Sequence, residues 1–509
     1  MAAGARAQAR PWFQPLGIAL CAGSAAALVA WNWPPAPLWL GGALATLALA
    51  VLAGRLPGWA LALLLSGALL QDPLVAQGLA PLQMADEALV VLALVGLLWR
   101  AREQGRLART PLDLPSLAFL LAALLSAVLR QVPPWIAALG ILSLAKGLAA
   151  FHLAARLPDA RRAARRGLPW LLGLATATAV VALVQRLGGE GVYRLMGRLD
   201  YFQQWQGTKA PSIFFNHNSL GHVMVLAGLT ILALASAGRG GRGTRIAALL
   251  CLGGLVVSAS REGWLAAMAG LVTLAWLSRS RRHLALALAV ALALAIGGLA
   301  VYAGSELLRA EIARRTAGVW EGWRMYRMGY RGWAYRGEYR VYNILKSWEI
   351  FLDQPLLGTG PGRFGGATAV RYPSPVYAAY DFLPLNGAYI PLDVFWSRLL
   401  TEFGLLGTAA YLACLAAYGR LASRLARAHE PLTRAMGLAA AMALAAMLVL
   451  GLFSPALEDP LSSLPFWALG GLAWTLGRQE LAGGAPTAAT GNPEPDRITG
   501  IPGRGGPGP

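Results

Sequence analysis

The chain has 509 residues, of which 57% are hydrophobic and 13% charged, and its mean hydropathy is +0.52. This composition excludes an ordinary soluble domain and indicates a protein that crosses a membrane many times. The formal net charge of +20 would suit a nucleic-acid ligand. Because the excess of basic residues is divided between membrane-anchoring arginines and one long loop, we expect no nucleic-acid partner.

Apolar runs long enough to cross about 30 Å of hydrocarbon recur along the chain. They predict an all-α polytopic membrane protein with about 14 transmembrane helices, or about 12 if short runs do not span. The third run ends at Gln71 and Asp72 after few residues, so it is also consistent with a re-entrant half-helix. The runs lie near 14–31, 36–54, 56–71, 82–99, 112–129, 134–156, 168–186, 212–236, 244–260, 262–278, 283–303, 391–418, 432–453 and 459–476.

The distribution of arginines predicts the orientation. If the amino terminus is cytoplasmic, the inner segments carry 25 of the 44 basic residues and the short outer loops together carry 6. The positive-inside rule therefore predicts that both termini are cytoplasmic and that the long loop 304–390, which contains short helices, is on the outer side. Residues 1–30 resemble a secretory signal, but we expect an uncleaved first span because other spans follow.

We predict four regions along the chain. Residues 1–210 form N-terminal transmembrane helices, and residues 211–420 form a core that includes the outer loop 304–390. Residues 421–480 form C-terminal transmembrane helices. The tail 481–509 is rich in proline and glycine without an apolar pattern, which predicts a disordered cytoplasmic segment.

Polar residues converge on the predicted outer ends of several spans. Polar groups in hydrocarbon are unfavourable unless they face a cavity or a partner. Each residue alone suits a turn or a helix cap, but together they predict an outward-facing polar cavity. They are Asp86 and Glu87 in the fourth span, Asn216, His217, Asn218 and His222 in the eighth, Ser260, Arg261 and Glu262 between the ninth and tenth, and Asp393, Ser397 and Thr401 in the twelfth.

The outer loop contains two segments with a helical pattern. In the first, Trp320 and Trp323 share one face and Arg324 and Arg327 another. This pattern suits an interfacial helix with aromatics at the lipid headgroups, and it also suits a stacking platform for sugar rings. The second, in the middle of 338–364, is amphipathic and carries Arg340. Pro355 and a GTGPG turn, which only weakly resembles a phosphate cradle, end it.

Several residue types point away from metal chemistry. His217 and His222 are five residues apart and do not align on one helix face, and the three cysteines lie within predicted spans. We therefore expect no metal site and no cofactor. Arg398 and Glu402, at i and i+4 inside the twelfth span, are expected to neutralise each other, and either would also suit the lining of the cavity.

Four motifs in order resemble the O-antigen ligase and O-antigen polymerase (Wzy) family. They are FFNHNSLG at 214–221, SASREGWLA at 258–266, YRVYNILKSWEIFLDQPLLGTGPGRF at 339–364 and LDVFWSRLLTEFGLLG at 392–407. The resemblance covers about 210–420 and implies a metal-independent, inverting glycosyltransferase of the bacterial inner membrane. Its implied donor is a glycan linked to undecaprenyl diphosphate, and transfer takes place on the periplasmic side.

One difference from the family pattern affects which acceptor molecule is expected. Ligases of this family usually carry histidine where this chain has Asp393, which favours a glycan polymerase over a ligase that uses lipid A core or protein. A chain-length regulator is a candidate partner, beside the glycan donor, the glycan acceptor and the bilayer. A transporter of an anionic or glycan solute is the alternative of another class, and internal repeats, which would favour it, are not evident.

The resemblance and the electrostatics assign roles to individual residues. Without a metal, the departing lipid diphosphate needs guanidinium groups, for which Arg261 and Arg340 are the candidates. Asp393 is the candidate general base for the acceptor hydroxyl. The further expected substrate contacts are Asn216, His217, Asn218, Arg363, Arg324 and Trp323.

Overall fold

The computed structural model describes residues 64–71, 109–157, 160–303, 339–372, 374–380 and 392–481, with single positions at 61 and between 306 and 327. Over these residues the protein is helical and contains no strand. The helices are α1 (Asp113–Leu129), α2 (Pro134–Ala155), α3 (Ala160–Leu195), α4 (Leu199–Trp205), α5 (His217–Leu234), α6 (Arg242–Ser258), α7 (Arg261–Ser278), α8 (Arg281–Ala303), α9 (Tyr339–Asp353), α10 (Ala367–Arg371), α11 (Pro375–Ala379), α12 (Phe395–Leu425), α13 (Pro431–Leu450) and α14 (Pro460–Leu481).

Every apolar run predicted from residue 112 onward coincides with one of these helices. Among the described residues, five helices are long and apolar enough to cross a membrane: Pro134–Ala155, Ala160–Leu195, His217–Arg239, Phe395–Leu425 and Pro431–Leu450. The first, second and fourth predicted spans, part of the third, and the tail after residue 481 lie outside the described residues. The all-α class is confirmed, and the count of about 14 spans stays a prediction.

Helices α5 and α13 form the centre of the bundle. Helix α13 packs on α5, α7, α12 and α14, and α5 also packs on α3, α6 and α7. The buried face of α13 is rich in alanine, including Ala439, Ala440 and Ala443. Small side chains let helix backbones approach closely, which is how helices associate where no water drives them together.

One end of the bundle, here called the loop end, is defined by contacts between helix termini. The start of α12 meets the end of α13 through the Phe395 amide and the Gly451 carbonyl, 3.1 Å apart. The segment before α5 meets the end of α6 through Ala210 and Val257. The segment after α9 lies at this same end, because Ser126 near the end of α1 donates to the Leu357 carbonyl at 2.6 Å.

Helix α12 is broken where it passes the segment after α9. Gly404 has φ 60° and ψ −165°, which interrupts the helical hydrogen bonds. Four of the freed backbone groups pair with the residues that follow α9, as backbone groups within a bilayer need partners in the protein. The four bonds are Thr359 N to Thr401 O (2.9 Å), Gly360 N to Glu402 O (3.0 Å), Leu405 N to Pro355 O (2.8 Å) and Leu406 N to Leu356 O (3.2 Å).

The amphipathic helix predicted within 338–364 and before Pro355 is confirmed as α9, and the structure shows which of its faces is buried. Asn343 and Ser347 face the protein, whereas Trp348 and Leu352 are exposed. The exposed apolar stripe suits a helix that lies along a lipid surface. Beyond it, a small core joins α9 to the rest of the loop through Tyr342, Ile350, Phe364, Ala369, Tyr377 and Leu392.

Gly358 provides a test of the close approach between α12 and the segment after α9. Its φ is 69°, and an added Cβ would lie 2.5 Å from the Thr401 carbonyl oxygen. We expect Gly358→Ala to destabilise the protein by about 1–3 kcal/mol, because it combines backbone strain with a clash. Thermal unfolding in detergent measures this change.

The control is Gly173→Ala in α3, where nothing lies within 4 Å of an added Cβ. This substitution should leave the melting temperature unchanged or slightly higher. Equal melting temperatures for the two variants would contradict the pairing described here.

Candidate functional site

Three charged side chains are buried together at the loop end of α12. Arg398 is 1% exposed and Glu402 is 0% exposed, and Nε of Arg398 lies 3.2 Å from Oε2 of Glu402. The predicted neutralisation of this pair is therefore confirmed. The guanidinium also forms an ion pair with Glu458, from the turn between α13 and α14. The sequence analysis did not single out Glu458, although Glu458 and Asp459 form an acidic pair at the start of the last apolar run.

The two carboxylates of this cluster also bind the backbone after α9. Glu402 accepts from the Phe364 amide at 2.9 Å, and Glu458 accepts from the Ala367 amide at 3.4 Å. Arg398 in turn donates to the Ser143 hydroxyl of α2 at 3.0 Å. The cluster therefore fastens the segment after α9 to α2, to α12 and to the turn before α14.

A second buried pair joins two of the sequence motifs. Nε2 of His222 in α5 lies 3.0 Å from Oε1 of Glu262 in α7, and both side chains are buried. The hydroxyl of Ser454, in the turn after α13, lies 3.4 Å from the same nitrogen. The structure thus brings together polar residues that the sequence placed at the outer ends of the eighth and tenth spans.

This group does not have the geometry of a Ser-His-Glu triad. A triad uses one imidazole nitrogen for the acid and the other for the hydroxyl. Here both neighbours share Nε2, and Nδ1 of His222 is buried without a hydrogen-bond partner among the described residues. The pair instead holds the start of α7, where Ser260 caps the helix by accepting from the Gly263 amide at 3.3 Å.

The NHN motif before α5 mostly serves local structure. Asn216 caps α5 by accepting from the Ser219 amide at 2.9 Å. Burial raises the pKa of Tyr201, so its hydroxyl stays protonated near neutral pH and can donate to Nδ1 of His217, 3.0 Å away. His217 also packs against the Trp205 ring, and Asn218 is half-buried.

Several outer basic residues bind within the protein. Arg363 donates to the carbonyls of Arg130 and Gln131 at 3.0 and 2.9 Å, which ties its segment to the end of α1. Arg186 donates to the Gly207 carbonyl at 2.7 Å, and Lys209 lies over the Trp205 ring. These contacts favour positioning roles, including for Arg363, which the sequence suggests as a substrate contact.

The residues expected to carry chemistry lie at or near helix starts. Arg261 is the exposed first residue of α7, and Asp393 is half-buried two residues before α12. Arg340 belongs to the first turn of α9, and its side chain lies outside the described part of the protein. Trp323 and Arg324 are exposed at isolated described positions of the outer loop, whereas Asp86 and Glu87 lie outside the described residues.

Helix α9 contacts α12 at Ser347. Thr401 donates to the Ser347 carbonyl at 3.2 Å, and beyond the end of α9 the Leu405 amide donates to the Pro355 carbonyl at 2.8 Å. Arg340 lies two helical turns before Ser347 on α9, and Asp393 lies eight residues before Thr401.

The loop end can therefore present cationic and acidic groups on a rigid frame. The exposed Arg261 suits an anionic ligand, and the half-buried Asp393 suits proton transfer from a hydroxyl group. Among the described residues, no group of three or more His, Cys, Asp or Glu side chains is placed to hold a metal ion.

Residues 246–412 match the family profile described as O-antigen ligase, Wzy_C. The match covers less than half of the chain and lies within the predicted core 211–420. It contains three of the four sequence motifs, namely those at 258–266, 339–364 and 392–407, together with the helices α7, α9 and part of α12. No curated protein matches the chain.

The Arg398 cluster predicts a specific pattern of stabilities. Arg398→Met should destabilise the protein by about 3–5 kcal/mol, because it leaves two carboxylates buried without their cation. Glu402→Gln with Glu458→Gln, added to Arg398→Met, should restore part of this loss by removing the uncompensated charges. The measurement is thermal unfolding in detergent, and no recovery in the triple variant would show that the three charges are not coupled.

Proposed function

We propose that this membrane protein is a glycosyltransferase that polymerises undecaprenyl-diphosphate-linked repeat units, because residues 246–412 match the O-antigen ligase profile. This match is the observation that carries the proposal, and it includes Arg340 in the first turn of α9 and Asp393 two residues before α12. Arginine and carboxylate are the groups that a transfer from a lipid diphosphate requires without a metal.

In the proposed reaction, a hydroxyl oxygen of the acceptor glycan attacks the anomeric carbon of the donor. Asp393 takes the hydroxyl proton as the new carbon–oxygen bond forms. The bond between the anomeric carbon and the phosphate oxygen breaks, and its electron pair leaves on undecaprenyl diphosphate. Attack from the face opposite the leaving group inverts the anomeric configuration. Arg261 and Arg340 stabilise the charge that develops on the diphosphate.

The proposed orientation places the loop end on the periplasmic side of the bacterial inner membrane and both termini in the cytoplasm. The arginines at the opposite end of the bundle support it. There Arg156 binds Asp113 at 2.7 Å, and Arg239 lies 3.7 Å from Glu430. A chain-length regulator is a proposed partner of the polymerase.

Two other functions have specific support. The matched profile is itself described as O-antigen ligase, which favours transfer to lipid A core or to protein. Broken membrane helices such as α12 also occur in transporters, where the break coordinates the solute. In this protein the backbone groups at the break pair with the segment after α9, which favours a structural break over a solute site.

The test of the proposal is a transfer assay with purified protein and lipid-linked repeat units from the source bacterium, run in EDTA. A polymerase yields a ladder of longer glycans on undecaprenyl diphosphate. Glycan on added lipid A core instead identifies a ligase. Absence of any covalent product with intact donor and folded protein contradicts glycosyl transfer, and activity that returns only with a divalent cation contradicts metal independence.

The roles of Arg261 and Arg340 predict a sensitivity to lysine. Arg261→Lys or Arg340→Lys should each lower transfer by roughly 10²-fold, because a point charge replaces a planar group that can form two hydrogen bonds to the diphosphate. The matched control is Arg194→Lys, at an exposed arginine paired with Glu190. Normal glycan ladders from both test variants would exclude these arginines from the reaction.

The role of Asp393 predicts a loss of turnover without a loss of donor binding. Asp393→Asn keeps the shape but removes the proton acceptor, so single-turnover transfer should slow by roughly 10²-fold or more. Asp200→Asn, at an exposed position in α4, is the control. A melting temperature that falls in parallel with activity would instead support a helix-capping role, and an unchanged single-turnover rate would remove Asp393 from the mechanism.

A further inference from the structure

Asn343 stands out on the buried face of α9. The residue is 3% exposed, and among the described residues neither its Oδ1 nor its Nδ2 has a hydrogen-bond partner. Its neighbour Ser347, equally buried, has its hydroxyl satisfied by the Asn343 backbone carbonyl at 2.6 Å. The two unsatisfied atoms, Oδ1 and Nδ2, therefore belong to one side-chain amide, that of Asn343.

A buried amide without hydrogen-bond partners is less favourable than a paired one, because it has lost its hydrogen bonds to water. Leucine has the same branched arrangement of heavy atoms without polar groups, so it would avoid this penalty. The amide therefore lowers the stability of the resting protein, and a ligand that satisfies it would regain that free energy.

The position of Asn343 links it to the proposed reaction site. Ser347 contacts α12, because the Thr401 hydroxyl donates to its carbonyl. Asn343 lies one helical turn before Ser347 and is buried like it. Arg340 lies about one turn farther toward the start of α9, so the amide is one turn from an arginine proposed to act on the donor.

The two unpaired atoms restrict the chemistry of the ligand. Oδ1 requires a donor and Nδ2 requires an acceptor. The phosphate oxygens of the diphosphate can only accept hydrogen bonds, so they would leave Oδ1 unpaired. Two neighbouring hydroxyl groups on a sugar ring supply one donor and one acceptor at the spacing of an amide.

We propose that Asn343 binds a sugar ring of the lipid-linked glycan through two neighbouring hydroxyl groups. This inference rests on the proposed function and names a sugar-binding position within that site. Because Asn343 is buried, entry of the sugar requires the first part of α9 to move away from the groups that cover this amide. The far end of α9 stays in place, because Pro355 and Leu356 are bonded to Leu405 and Leu406.

The test compares Asn343→Leu and the smaller Asn343→Ala with wild-type protein and with Ser347→Ala as the control. The probe is the free oligosaccharide released by mild acid from the lipid-linked donor. Binding is measured by isothermal titration, stability by thermal unfolding without oligosaccharide, and activity by the transfer assay.

We expect both Asn343 variants to bind the oligosaccharide at least about tenfold more weakly, because two hydrogen bonds to the ligand are lost. At least one of them should melt at or above the wild-type temperature, because the unsatisfied amide is removed. Ser347→Ala should bind like the wild type. This opposition of stability and binding is not expected of a residue with only a structural role.

Wild-type affinity in both Asn343 variants, or a joint fall of stability and binding in both, overturns the inference. Lack of oligosaccharide binding by the wild-type protein overturns it as well. A wild-type protein that binds the oligosaccharide through Asn343 but transfers nothing would contradict the proposed function and leave this inference standing. Normal transfer and normal oligosaccharide binding by Asn343→Leu would contradict this inference and leave the proposed function standing.

Discussion

The burial of Arg398 among membrane helices is the constraint on which the loop end depends. A guanidinium in a low-dielectric interior is stable only when carboxylates neutralise it and hydrogen bonds satisfy what remains. Glu402 supplies a charge from the same helix, and Glu458 supplies another from the turn before α14. Because the carboxylates also accept from the amides of Phe364 and Ala367, the segment after α9 has to fold back onto the helices.

The break in α12 is a second reason why the segment after α9 has to contact the membrane helices. Backbone groups within a bilayer need partners in the protein, and the groups released around Gly404 find them in residues 355–360. The loop segment and the membrane helix therefore complete each other's hydrogen bonding. Together they form a frame that holds α9 against α12 at Ser347 and fixes the loop end, where the proposed transfer takes place.

This frame also separates residues that look alike in the sequence. Arg363 binds backbone carbonyls and is tied to the end of α1, whereas Arg261 is exposed to solvent at the start of α7. On α9, the hydroxyl of Ser347 is satisfied and the amide of Asn343 is not. Asn343, as an unsatisfied group, is therefore a better candidate for contact with a glycan than its satisfied neighbour.

The sequence by itself determined the features that depend on local spacing. Long apolar runs predicted the helices from residue 112 onward, an amphipathic period predicted α9, and the i, i+4 spacing predicted the Arg398–Glu402 pair. Only the tertiary structure decided that Glu458 joins this pair, that His222 meets Glu262, and that α9 buries its polar face. The reason is physical: helical periodicity is encoded within a few residues, whereas burial and pairing arise between segments far apart in the chain.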